Sequence, residues 1–345
     1  MKKILIIKMS ALGDVLMALP QVESILSHHR EDDVWLLTGP SFRELFVNHP
    51  RLKVVVLDRG RWLGAESTYG RVLWTRNQRF EGIYDLQGNR TSRLLVRFSR
   101  SPRRVGTQPL RIYHFHPKDC YRQDTLQHVF DRLNETIIAA GLAPAQPRSV
   151  LYPSADDIVR VANWRTEKGL AERSFALMHA GSSSDWPSKR WPAEYFLELA
   201  RRLEASGRRC IWIGGDADRE INGTLARKAG IDATGRFSIL QLYELGRSAA
   251  LAVTNDSGPM HILAASGVPV YGFFGPTNWI RSHAVGQSQR VLKYPVACSP
   301  CFLGRCPPAK GHACLRSIRP EDVYRKITTE RTANAASPLV GSLRS

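Results

Sequence analysis

The sequence has no long apolar run. It begins MKKILIIKMS, but only four apolar residues separate Lys3 from Lys8, fewer than the ~7 to 15 of a signal-peptide core, so the stretch reads as a strand. No window reaches the ~18 uninterrupted apolar residues of a membrane span, because Asp256, Pro259 and Pro269 break up the most apolar region. These absences point to a cytoplasmic protein whose membrane contact would be peripheral and electrostatic. No G-x-G-x-x-G follows the first strand, where only Gly13 is present, which argues against a dinucleotide oxidoreductase. Internal repeats and low-complexity tracts are also missing, which excludes solenoids and arrays. Acids are scarce, with 31 Asp and Glu against 49 Lys and Arg, a formal charge of +18. Such an excess favours an anionic partner: nucleic acid, an acidic membrane face or a phosphorylated substrate.

What is present fits a soluble globular chain, with 43% hydrophobic and 23% charged residues. A length of 345 residues exceeds what one core usually serves and predicts two lobes. Short, β-branched, continuously apolar runs (KILIIK, VWLLT, VVVL, IYDL) alternate with helical patterns up to about residue 140, as in a parallel sheet buried on both faces. The Pro-, Ala- and Ser-rich segment 141–157 reads as a connection. The pattern restarts with FALMHAG, a helix opened by Pro192, RCIWIGG, a helix over about 218–229, LAVTN and a helix from Pro259. The expected organisation is an N-terminal α/β domain over 1–150, a second over 151–330 and a loose tail over 331–345. Ligands of such sheets bind at the carboxyl ends of strands, here in the cleft between lobes.

Four junctions carry candidate chemistry. In LAVTNDSGPMHILAASG, Asp256 or Ser257 can cap a helix, Gly258 lets a ligand approach the backbone, and Pro259 sits where no amide hydrogen is needed. The free amides and helix dipole favour an anion such as a diphosphate, although ordinary capping needs no more than these residues. Asp256 would be repelled by phosphate and is expected to face hydroxyls; His261 follows a turn later. In HAGSSSDWPSKRWP, serines and Lys189 make a natural phosphate clamp. In GGDADRE, Asp218 is read equally as a ribose or sugar ligand and as a first-turn helix carboxylate. In KMSALGDVLMALP, Asp14 lies in the first βα turn of the other lobe, placed to act as a general base or to cap its helix.

The first lobe also carries a basic cluster: Arg59 and Arg61 in RGRW, Arg90, Arg93, Arg97 and Arg100 at helical spacing, and further Arg and His residues to about 118. Without compensating acids this face suggests an anionic acceptor. Four of six cysteines, Cys298, Cys301, Cys306 and Cys314, fall in CSPCFLGRCPPAKGHAC. Reduced structural thiols and a structural zinc or iron are both compatible with that spacing, and His312 competes as a ligand.

Taken in order, ILIIKMSALGDVLMALPQV, YDLQGNRTSRLL, GSSSDWPSKRWPAEYF, TNDSGPMHILAASGVPVYGFFGPT and CSPCFLGRCP with CLRSIRPEDV resemble glycosyltransferase family 9, the ADP-heptose lipopolysaccharide heptosyltransferases. The likeness implies a GT-B fold, two Rossmann-like α/β domains facing a central cleft, with the acceptor on the first lobe and the nucleotide sugar on the second. It implies inverting transfer of heptose from ADP-heptose to the Kdo/heptose-lipid A inner core at the cytoplasmic face of the inner membrane. Asp14 would be the base. Ser182, Ser183 and Lys189 would meet the diphosphate, as would Ser257, Gly258 and His261, with Asp256 on the sugar hydroxyls and Asp218 near the nucleotide. Arg59, Arg61, Arg90 and Arg93 would hold the acceptor. No cofactor is implied for catalysis and no nucleic acid is expected, since the arginines are not interleaved with stacking aromatics. The remaining alternatives are a GT-B enzyme using another nucleotide sugar or a protein acceptor.

Overall fold

The computed structural model describes residues 1–61, 63–120 and 126–336 of the chain. One sheet holds β1 (Lys3–Ile7), β2 (Asp33–Thr38), β3 (Leu52–Val56), β4 (Gly82–Asp85) and β5 (Arg103–Gly106) in the order β3-β2-β1-β4-β5. The other holds β6 (Phe175–His179), β7 (Arg209–Trp212), β8 (Ile231–Asp232), β9 (Leu251–Asn255), β10 (Val270–Phe274) and β11 (Val291–Lys293) in the order β11-β10-β9-β6-β7-β8. All these pairings are parallel, with Ile4 opposite both Val34 and Gly82, and Leu177 opposite Ile211 and Ala252. Each sheet starts in the middle, runs to one edge, then returns to the other side of its first strand. The resulting switch points lie between β1 and β4 and between β6 and β9, and crevices for ligands open there.

The first lobe is covered by α1 (Leu12–Met17), α2 (Leu19–His28), α3 (Thr68–Gln78), α4 (Arg90–Phe98) and α5 (Val129–Ala139). The second carries α6 (Ala155–Glu167), α7 (Ala193–Ala205), α8 (Arg219–Ala226), α9 (Ile239–Ser248), α10 (Gly258–Ala265), α11 (Trp279–Ser282), α12 (Ala313–Arg316) and α13 (Pro320–Ala336). Local chemistry sets the starts: Ser67 accepts from Gly70 N, Asn89 from Ser92 N, and Ser154 from Asp157 N. Caps of this type contribute ~1 kcal/mol each. The helix expected over 218–229 stops at Ala226, ahead of Gly230, whose φ of +87° suits glycine. The last helix runs to Ala336, into the segment expected to be a tail. Residues 337–345 and Trp62 of RGRW lie outside the described residues.

Because side chains alternate across a strand, consecutive strand residues feed different cores. Ile4 and Ile6 join Phe175 and Leu177 in one apolar cluster that continues through α1 and α10 and so runs through both lobes. Leu5 and Ile7 pack instead with Phe80 and Leu95 on the outer face of the first sheet. Ala176 and Met178 pack with Trp191, Phe196, Trp212 and Phe273 on the outer face of the second. Among the described residues, no helix is long and apolar enough to cross a membrane.

Candidate active site

On the first lobe, the turn after β1 is held from below. Gln87 Oε1 accepts from Met9 N (2.8 Å) and Ser10 N (3.0 Å). Gln87 is itself fixed by buried Asp85, whose Oδ1 accepts from the Gln87 and Gly88 amides while Tyr113 donates to Oδ2. This scaffold presents α1, with half-buried Asp14 in its first turn. Asp14 Oδ2 accepts from Ala11 N at 3.3 Å, a long bond that leaves the carboxylate capacity for another donor.

On the second lobe, Asn255 ends β9 and is wholly buried. Its Nδ2 donates to the carbonyls of Ala180 and Gly181 at 2.9 Å, and its Oδ1 accepts from Trp191 N at 2.9 Å. One side chain thus binds the loop after β6 to the loop after β9. Next along the chain, buried Asp256 accepts from Lys189 Nζ at 2.8 Å and from Thr277 Oγ1 at 2.7 Å. The Lys189 ammonium also lies over the Trp186 ring, 5.1 Å from its centre. Ser257 is the N-cap residue of α10, but neither it nor Asp256 caps the helix with its side chain, contrary to expectation. The Ser257 hydroxyl donates to Asn255 O and approaches His179 Nδ1 at 3.2 Å. In the first turn of α10, Met260 N donates to Ser257 O at 3.1 Å, the Gly258 amide precedes the first intrahelical donor, and Pro259 removes one donor that would otherwise be unused.

The two walls meet at a reciprocal contact. A Cβ on Gly13 would lie 2.8 Å from the His261 ring, and a Cβ on Gly258 would lie 2.8 Å from Leu12 Cδ2. Each glycine therefore seats a side chain of the opposite lobe. Burial lowers the pKa of His261, and its Nδ1 has no hydrogen-bond partner among the described residues. Around this contact lies a cleft of about 320 Å³ lined by Asp14 from one lobe and Lys189, Asp256, Ser257, Gly258 and His261 from the other. Six of the nine residues expected at the catalytic and nucleotide-sugar site thus share one cavity. A larger cavity of about 570 Å³ lies at the opposite end of α10, beside Pro147–Leu151. It has no carboxylate in its lining and faces the end of the helix that repels anions.

Ser182, Ser183 and Asp218 are not in that lining. Buried Ser182 donates from Oγ to Trp186 O and accepts from Arg190 Nε, while Ser183 O accepts from Trp186 N. These serines shape the loop carrying Lys189. Asp218 is packed so tightly under Gly181 that a Cβ there would overlap its carboxylate, and it accepts from Gly215 N and pairs with His179 Nε2 at 3.5 Å. Burial alone would raise its pKa, but the His179 and Gly215 contacts outweigh it and hold the carboxyl below its ordinary value. The geometry makes Asp218 a clasp between loops.

The four arginines do not converge either. Arg59 and Arg61 line a separate groove on α3 and α4. Arg90 is exposed at the start of α4, whereas half-buried Arg93 turns to Tyr113, and Arg100 lies beyond the helix. The expected single basic face is thus split.

The thiols of Cys298, Cys301, Cys306 and Cys314 are free and line one small cavity with His312. Burial and the neighbouring thiols raise Cys314 to about 11. His312 Nε2 donates to Ser188 O, Ser188 Oγ donates to Leu303 O, and Ser188 N donates to Gly304 O. The cysteine loop therefore braces the Lys189 turn and brings Phe302 into the cleft. Among the described residues, no group of three or more His, Cys, Asp or Glu is placed to hold a metal ion.

Several residues at the site gave no sequence signal of their own. Thr277 and Trp186 reach the cleft from loops and Arg281 from the short helix α11, and Gln87 and Asn255 work underneath it. A polar residue at the carboxyl end of a buried strand is the one pattern that points to Asn255.

Two Rossmann-like lobes with a carboxylate on one wall and a held ammonium beside a helix start on the other define an enzyme of the GT-B class. The chain belongs to glycosyltransferase family 9 (heptosyltransferase), whose model matches residues 74–311, and it is a glycosyltransferase. It is 27% identical over 323 residues to lipopolysaccharide heptosyltransferase 1 of Pseudomonas aeruginosa, covering 88% of this chain and 87% of that one. It is 24% identical over 326 residues to lipooligosaccharide heptosyltransferase 2 of Campylobacter jejuni, covering 91% and 94%. The solved structure of Escherichia coli ADP-heptose lipopolysaccharide heptosyltransferase II superposes with a TM-score of 0.73 at 20% identity, covering 96% of this chain and 99% of that one.

Proposed function

We propose that this enzyme moves heptose from ADP-heptose to the lipopolysaccharide inner core, with a Kdo/heptose-lipid A acceptor, at the cytoplasmic face of the inner membrane. The observation carrying this reading is the sharing of one cleft by Asp14, Lys189 and the start of α10. In a single inverting displacement, Asp14 takes the proton of an acceptor hydroxyl as its oxygen attacks the anomeric carbon. The bond from that carbon to the diphosphate oxygen breaks, and ADP leaves with the electron pair. An ammonium has three donors: Asp256 takes one of Lys189, leaving others for the diphosphate. The amides of Ser257 and Gly258 add the helix-terminus field where the leaving charge grows. Asp256 is then held against the sugar, with Thr277 fixing its orientation. The names of the relatives support the choice of sugar and acceptor.

The four cysteines take a structural role in this reading, bracing the Lys189 turn. A zinc or iron ion there would require the thiols to draw together, and the metal content of the purified protein measures it.

The test combines binding and turnover. ADP-heptose should raise the melting temperature more than GDP- or UDP-sugars, and Asp14→Asn should fold normally yet turn over at least ~100-fold more slowly, the low end for a lost general base. Near-normal turnover of the variant refutes the role of Asp14. Preferential stabilisation by a GDP- or UDP-sugar refutes the donor.

A further inference from the structure

We propose that the outer face of α3 and α4 is the surface on which this enzyme docks onto an anionic lipid bilayer. The proposal rests on the transfer to a lipid-borne acceptor described above and names the part of the molecule that meets the lipid phase.

The helices turn Thr75 of α3, and Ser92, Leu95 and Val96 of α4, inward. Helical spacing then places Tyr69 and Leu73, four residues apart, and Leu94 and Phe98, also four apart, on the outer face. They stay uncovered: Tyr69 is 64% exposed, Leu73 42%, Leu94 39% and Phe98 43%. Together they line a groove of about 710 Å³. A contiguous apolar patch of this kind on an otherwise charged protein marks a contact surface.

The charges around it select the partner. Arg59, Arg61 and Arg76 share the lining of the groove, and Arg90 and Arg97 are exposed on the outer side of α4. Arg61 is paired with Asp58 and Glu66. Arg59, Arg76, Arg90 and Arg97 make no ion pair among the described residues. Apolar side chains flanked by uncompensated guanidinium groups match the boundary between acyl chains and anionic headgroups, where aliphatic and aromatic groups enter and arginines meet phosphate. A second copy of the same face would bring like charges together. Nucleic acid is less suited, because half of the exposed apolar groups are leucines, which offer no stacking surface.

The experiment is co-sedimentation of the full-length enzyme with phosphatidylcholine vesicles with and without phosphatidylglycerol, compared with a Leu73→Ser/Phe98→Ser variant. Neither residue belongs to the cleft, so turnover on a deacylated, water-soluble acceptor reports that the variant is folded and active. The wild type should bind anionic vesicles roughly tenfold or more tightly than neutral ones, and the variant should lose at least that factor with turnover unchanged. Equal binding to both vesicle types overturns the proposal, as does a variant that binds like the wild type, or one that loses only self-association. Wild-type vesicle binding without any turnover would instead count against the transfer reaction and leave the surface standing.

Discussion

At the scale of single residues, the site depends on one buried ion pair. Lys189 and Asp256 lie 2.8 Å apart, and removing one partner leaves the other as an uncompensated buried charge. Lys189→Met should therefore do two things at once. It should lower stability in a denaturant titration, because Asp256 keeps only Thr277, and it should weaken nucleotide-sugar binding at least ~10-fold, the equivalent of about 1.4 kcal/mol. Lys189→Arg keeps the charge and should recover stability better than binding, since a planar guanidinium cannot place its donors as an ammonium does. Unchanged donor affinity in Lys189→Met, by calorimetric titration, would remove Lys189 from the diphosphate site. The sequence carried this residue because a lysine after a serine-rich strand end has a chemical reading of its own. It did not show the pair, because residues 189 and 256 are joined only by tertiary structure. The same limit applies to Asp218, whose local pattern admits a sugar ligand and a helix start equally. Its packing against Gly181 and its pairing with His179 are tertiary contacts that the local pattern does not show.

At the scale of elements, seven of the eleven described strands were legible, since continuous β-branched runs identify parallel strands covered on both faces; β5, β8, β10 and β11 were not picked out. Helix ends were less legible. Helix α8 ends at Ala226 with Arg227 as its cap, short of the expected 229, and α13 extends past Glu330 into TANAA, which shows no apolar periodicity of its own. The connection between strand ends was invisible, because a single asparagine does not stand out in LAVTN. Yet Asn255 joins the loops after β6 and β9 through three buried hydrogen bonds. Asn255→Ala would leave the Trp191 amide and two carbonyls without partners, at a cost of about 2 to 3 kcal/mol for unsatisfied buried groups. Urea unfolding should show that loss, and the KM for the nucleotide sugar should rise because both loops that frame the cleft lose their tie. An unchanged midpoint would mean that water replaces the side chain and that the loops hold themselves.

At the scale of the whole molecule, the lobes meet through neutral histidines, and this ties their joint stability to pH. His128 begins α5 on the first lobe. Its Nδ1 accepts from Phe130 N, and its Nε2 donates to the carbonyl of His283 on the second, with the two rings 4.3 Å apart. Both nitrogens are committed, so the ring is held in the neutral form protonated at Nε2, and a second proton could enter only by breaking the helix cap. Burial, reinforced by His283, accordingly lowers its pKa to about 4, and burial lowers His261 and His283 as well. A histidine with a depressed folded pKa binds fewer protons than the unfolded chain between the two values. Its contribution is complete above the unfolded value of ~6.5 and is lost as pH falls toward 4. For His128 alone the full span is on the order of 3 kcal/mol. Unfolding free energy measured between pH 7 and 4.5 should therefore fall on acidification. In His128→Asn, where the amide oxygen can still cap α5 but no titrating ring remains, the same titration should be visibly flatter. If wild type and variant show equal slopes, the pH response belongs to other groups, and the histidine contact between the lobes does not set it.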